Sequence, residues 1–87
     1  MNEREEIMRL MAEALGLCYE ISVNSEADCF FNYSPHVNGL YVQVFEFGWE
    51  EGAKGEYYTF SADVNRDTLL EVLDKLYALK HKMGGGL

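Results

Sequence analysis

Residues 16–24 read Gly16-Leu17-Cys18-Tyr19-Glu20-Ile21-Ser22-Val23-Asn24, and the structure assigned to this stretch decides the fold. Leu17, Tyr19, Ile21 and Val23 alternate with Cys18, Glu20 and Ser22, which is the period of a half-buried strand. Upstream the period is different. Ile7, Leu10, Met11, Ala14 and Leu15 fall at helical spacing, and Asn2 with Glu5 forms an Asn variant of the capping box. Gly16 sits where a left-handed residue would end that helix. The expectation is therefore a helix up to Leu15 and a strand from Leu17.

Downstream, Asn24-Ser25-Glu26 has the composition of a hairpin loop. The return strand carries Cys29, Phe31 and Tyr33 on one face, with Phe30 and Asn32 on the other. Pairing Val23 with Ala27 keeps the apolar residues of both strands on one side. It also puts Cys18 and Cys29 on opposite faces, so no bridge between them is expected. Two cysteines are in any case too few for a disulfide scaffold of this size.

Ser34-Pro35-His36-Val37-Asn38-Gly39 is a turn segment, and Leu40 to Phe47 is the strongest strand in the chain. A glycine-bearing loop from Trp49 to Gly55 leads to a fourth strand, Glu56 to Val64. Pairing Phe47 with Tyr57 sets Val44 by Phe60, Val42 by Ala62 and Leu40 by Val64. Asn65 caps a last helix with the stripe Leu69, Val72, Leu73, Leu76 and Tyr77. Lys80, His81 and Lys82 lie near its C-terminus, where positive charge suits the helix dipole. The order predicts an α+β fold: helix, four-stranded antiparallel meander, helix, a two-layer αββββα sandwich with both helices on one face. At 87 residues the chain is expected to hold one domain over 1–83, followed by a flexible glycine tail over 84–87.

The opposite face of such a sheet collects Phe30, Asn32, Tyr41, Gln43, Phe45, Phe47, Tyr57, Thr59 and Ser61. Five aromatics are more than a solvated face requires. They are core if one helix covers each face, a homodimer interface if two sheets meet, or a surface that binds another protein or a ligand.

Charge narrows the partner. Fifteen acids against seven bases leave a formal net charge of −8. Between Leu10 and Asn65 the only base is Lys54, against nine acids: Glu13, Glu20, Glu26, Asp28, Glu46, Glu50, Glu51, Glu56 and Asp63. Nucleic acids and anionic membranes reward Lys and Arg, so neither is an expected partner. Single-stranded nucleic-acid platforms also stack bases on sheet aromatics, but they are ringed by bases. The expected partner is a larger protein with a basic surface, approached with electrostatic steering. Solubility alone is the competing account of the acidity.

No motif for chemistry stands out. His36, His81, Cys18 and Cys29 lack zinc spacing, Ser34 and His36 have no third partner, and Glu50-Glu51 lacks the alternating oxygens of a calcium loop. No glycine-rich phosphate loop occurs. The expectation is a protein that is not an enzyme and uses no metal or cofactor. The polar start Met1-Asn2-Glu3-Arg4-Glu5-Glu6 has no features of a signal peptide, which points to the cytoplasm.

Phe30-Phe31-Asn32-Tyr33-Ser34-Pro35-His36-Val37-Asn38, then Leu40-Tyr41-Val42-Gln43-Val44 and Gly48-Trp49, resembles a pattern of small phage and prophage proteins. Size, acidity and the α+β layout are similar to phage anti-defence proteins, anti-CRISPR proteins among them, several of which mimic nucleic acid. The resemblance implies an inhibitor acting in the host cytoplasm on a nucleic-acid-binding protein, and it carries over no functional residue. The residues expected to meet the partner are Glu46, Glu50, Glu51, Glu56 and Asp63 as charges, with Trp49, Tyr41 and Tyr57 as anchors. The alternative is a structural or assembly subunit that self-associates through the aromatic face. A third reading makes that face the floor of a small-molecule pocket.

Overall fold

The computed structural model describes residues 2–48 and 57–84. Helix α1 spans Glu3–Asn24, strand β1 Asp28–Ser34, a single 3₁₀ turn Pro35–Val37, strand β2 Gly39–Phe45, strand β3 Tyr57–Asp63 and helix α2 Arg66–Gly84. The strands form a three-stranded antiparallel meander in the order β1-β2-β3. The α+β class agrees with the sequence, but the four-stranded sheet does not.

The missing strand is the stretch 17–23, which continues α1. Leu10, Ala14, Leu17, Cys18 and Ile21 are buried, and their spacing extends the helical stripe without a break. Cys18 decides between the two periods. A strand would have turned it away from Leu17 and Ile21, whereas the helix buries all three together. Gly16 is not a cap: the only glycine with a positive φ among the described residues is Gly48, and a Cβ added at Gly16 would meet nothing within 4 Å. At about 1.5 Å per residue the helix is roughly 33 Å long.

The ends of α1 follow from side-chain chemistry. Asn2 Oδ1 accepts the Glu5 N–H at 2.9 Å and its amide donates to Glu5 Oε1 at 3.2 Å, which is the expected cap. At the other end Ser25 Oγ donates to the Ile21 carbonyl and accepts the Ala27 N–H. Asn24–Glu26 is therefore a helix-to-strand link, not a hairpin loop. Ser22 Oγ joins the two elements, donating to the Cys18 carbonyl at 2.9 Å and accepting the Cys29 N–H at 3.0 Å.

β1 pairs with β2 through Cys29↔Val44, Phe31↔Val42 and Tyr33↔Leu40. β2 pairs with β3 through Phe45↔Tyr57, Val42↔Phe60 and Leu40↔Ala62. The expected Phe47–Tyr57 register is thus off by two residues, an even shift that keeps Leu40, Val42 and Val44 on the helix side and Tyr41, Gln43 and Phe45 on the other, as predicted. The 34–39 turn is held by Asn38, left-handed at φ 47°, whose N–H donates to the Pro35 carbonyl. Its amide donates to the Val64 carbonyl and its own carbonyl accepts the Val64 N–H, so the turn is fastened to the end of β3.

Both helices cover one face. Leu40, Val42 and Val44 pack in a single cluster with Leu10, Ala14, Leu17, Cys18 and Ile21 of α1 and Leu69, Val72, Leu73, Leu76 and Leu79 of α2. Asn65 caps α2 as predicted, its Oδ1 accepting the Thr68 N–H at 2.9 Å. Along their shared edge the helices are linked by Glu6–Arg66, by Tyr77 donating to Glu13 at 2.8 Å and by Lys80–Glu20 at 2.6 Å. Since both partners advance together, α1 and α2 run parallel. No helix among the described residues is long and apolar enough to cross a membrane.

Candidate interaction face

The free side of the sheet is built by alternation. If Leu40, Val42 and Val44 point to the helices, then Tyr41, Gln43 and Phe45 point away, with Phe30 and Asn32 from β1 and Thr59 and Ser61 from β3 beside them. Phe30 and Tyr41 are 41% and 40% exposed, while Val42 and Val44 on the other side are at 0%. Phe30 and Phe45 meet edge to face, ring centroids 5.9 Å apart at 85°, which satisfies each ring without a covering layer. With Asn32 and Gln43 they line a depression of about 260 Å³. Apolar rings beside primary amides offer both dispersion contact and hydrogen bonds in one small area.

A second depression, about 470 Å³, opens at the turn end of the strands and is lined by residues including Ser34, Tyr41, Ser61 and Asp63. Asp28 and Asp63 occupy opposite corners of the free side by their ladder positions. No Lys or Arg occurs in β1, β2 or β3.

The expected partner-binding residues do not form one cluster. Tyr41 and Asp63 come together at the turn end. Glu46 does not join them: it lies mostly buried beyond β2, with Oε1 3.6 Å from Lys82 Nζ. One further turn of alternation explains this, because Glu46 shares the parity of Leu40, Val42 and Val44. Tyr57 is opposite Phe45 in the ladder. Trp49, Glu50, Glu51 and Glu56 lie outside the described residues.

Acidity is also less free than the count implied. Of the nine acids, Glu13, Glu20 and Glu46 are engaged by Tyr77, Lys80 and Lys82 of α2. Lys80 and Lys82, which the sequence places near the end of the last helix, are thus engaged within the fold.

Sequence reasoning missed the cysteine pair. Both thiols are free, as expected, yet they are neighbours rather than on opposite faces. The interaction between the two thiols draws Cys18 below its usual pKa and, with burial, pushes Cys29 up. With residues 17–23 helical, Cys18 points into the core one turn before Ser22, which holds the backbone of Cys29. Among the described residues no group of three or more His, Cys, Asp or Glu could hold a metal ion.

No protein family, curated protein or solved structure matches the chain.

Proposed function

We propose that this chain is a small non-enzymatic binding module that docks a basic surface of a larger protein with the free side of its sheet. The observation that carries the reading is that side itself: Phe30, Tyr41 and Phe45 with Asn32 and Gln43, uncovered by either helix and without a base on any strand. Tyr and Phe bring contact area at low entropic cost, and amides between them fix register. Asp63 at one corner, and in the sequence Glu50, Glu51 and Glu56 between β2 and β3, favour a positively charged counterpart. The resemblance to phage anti-defence proteins agrees with a target that normally binds nucleic acid.

The test compares capture of partners from host extract by the wild type and by Phe30→Ser/Tyr41→Ser, with circular dichroism confirming the fold. A partner retained by the wild type and lost by the double variant supports the reading; equal retention overturns the role of this face. Replacing Glu50 and Glu51 with Lys should weaken binding and flatten its salt dependence. If affinity is untouched, the electrostatic part fails.

A further inference from the structure

The helical path of residues 17–23 removes the reason for keeping Cys18 and Cys29 apart. They are the only cysteines of the chain, and both are free thiols. One comes from α1 and the other from β1. Cys18 is a core residue at 2% exposure, and Cys29 is partly buried against the same cluster.

A disulfide needs Cα atoms within about 7 Å of each other and Cβ atoms that converge. One hydroxyl brings the two backbones together. Ser22 Oγ lies 2.9 Å from the Cys18 carbonyl oxygen and 3.0 Å from the Cys29 nitrogen. Direction follows from the two elements. Cys18 is buried with Leu17 and Ile21 on the core side of α1. Cys29 is opposite Val44 in the ladder and shares its side of the sheet, and Val44 is fully buried beneath the helices. The two side chains therefore enter one space from its two walls. Each thiol is also the largest influence on the ionisation of the other.

Packing alone accounts for a single buried cysteine, since a thiol behaves as a small hydrophobe. Two thiols held face to face have a further chemistry, the joint loss of two electrons. Access to them is graded. Cys18 is closed off, whereas Cys29 stands on β1, an edge strand, and keeps part of its surface in water. A water-sized oxidant suits this opening better than a bulky one such as glutathione disulfide.

We propose that Cys18 and Cys29 are a redox pair, which hydrogen peroxide closes into a disulfide that ties α1 to β1 within the native fold. The Cys18 sulfur attacks one peroxide oxygen, the O–O bond breaks, and Cys18 becomes a sulfenic acid as hydroxide leaves. The Cys29 sulfur then attacks the Cys18 sulfur, the S–O bond breaks, and a second hydroxide leaves. The two thiol protons convert both hydroxides to water, so two electrons pass from the sulfurs to the peroxide. The bond encloses residues 19–28, and the link between helix and strand can then no longer open. Under reducing conditions the pair stays as thiols, so the bond marks exposure to peroxide.

Peroxide treatment of the full chain, followed by intact mass and non-reducing peptide mapping, tests this. The folded wild type should lose two hydrogen atoms, yield a peptide linking Cys18 to Cys29, and recover both thiols with dithiothreitol. The oxidised form should keep its helical circular dichroism signal and melt at least about 5 °C above the reduced form. In Cys29→Ser the sulfenic acid has no resolving thiol, and dimedone should capture it at Cys18. Should that variant lose the helical signal, dimedone is added to the wild type during oxidation, where closure should leave no adduct. Thiols that stay free in the folded chain under peroxide that oxidises the urea-unfolded chain overturn the proposal. So do a bond between two chains, a dimedone adduct in place of the linked peptide, or an oxidised form that melts below the reduced one.

Discussion

Leu40 and Tyr41 are neighbours in β2, and the sheet sends them to different worlds. Leu40 is closed in by two helices, whereas Tyr41 looks outward across the strands at Asn32 and Ser61. Both sides of the sheet are rich in apolar atoms, so composition does not separate them. Coverage does, and coverage is a property of the helices. A residue buried by them contributes to stability; a residue of similar size on the free side is left for whatever approaches from outside.

That contrast can be broken at its centre. Leu40→Ala should cost about 2–5 kcal/mol in urea denaturation, a large part of the total for so small a domain. Tyr41→Ala, one residue away, should cost no more than about 1 kcal/mol. Comparable losses would mean that the outer side is packed after all.

The join between helix layer and sheet should come next. Ser22→Ala removes the hydroxyl that links the Cys18 carbonyl to the Cys29 N–H, and the unpaired amide should cost about 1–2 kcal/mol by the same measurement. On the outer side of that layer the sign reverses. Gly16→Ala fills open space on an exposed helix interior and should add about 1 kcal/mol. This should raise Tm by about 4–8 °C. A loss instead would show that the helix is interrupted at Gly16, restoring the strand that the sequence pattern favours.

The smallest effect concerns pH. Tyr77 donates its hydroxyl proton to Glu13, which raises its pKa above the usual 10. A proton held more tightly folded than unfolded contributes fully below the usual value and is lost as pH rises through the raised one. Tm should therefore fall on alkaline titration, and Tyr77→Phe should make the fall shallower. An unchanged slope would exclude the Tyr77–Glu13 bond as a contributor.

Much of this contrast was legible in the residues. Alternation along β2 assigned Leu40, Val42 and Val44 inward and Tyr41, Gln43 and Phe45 outward, and the two-residue register error did no harm because side chains repeat every second residue. Asn2 and Asn65 announced both helix starts. What failed was the stretch 17–23, where period two and period 3.6 share Leu17 and Ile21 and differ at Cys18, Tyr19 and Val23. Propensity did not help, since Tyr, Ile and Val favour strands, yet of the three only Ile21 is buried in the helix. Glu46 was legible in principle, by parity, but its acidity drew attention to charge and away from position. Pairing between Glu13 and Tyr77 spans 64 residues, and no local pattern reports it.

The parallel packing of the first and last helices has a consequence for synthesis. The meander leaves the ribosome with α1 in place over β1 but with the β3 side of the sheet still waiting for residues from Arg66 onward. Until α2 emerges and Arg66, Tyr77 and Lys80 find Glu6, Glu13 and Glu20, the nascent chain is a half-roofed sheet with apolar surface on both sides. Such a species is prone to aggregate, and a chain cut short within α2 would remain in it. A helix that contributes no residue to the free face is thereby the element on which escape from the translating state depends.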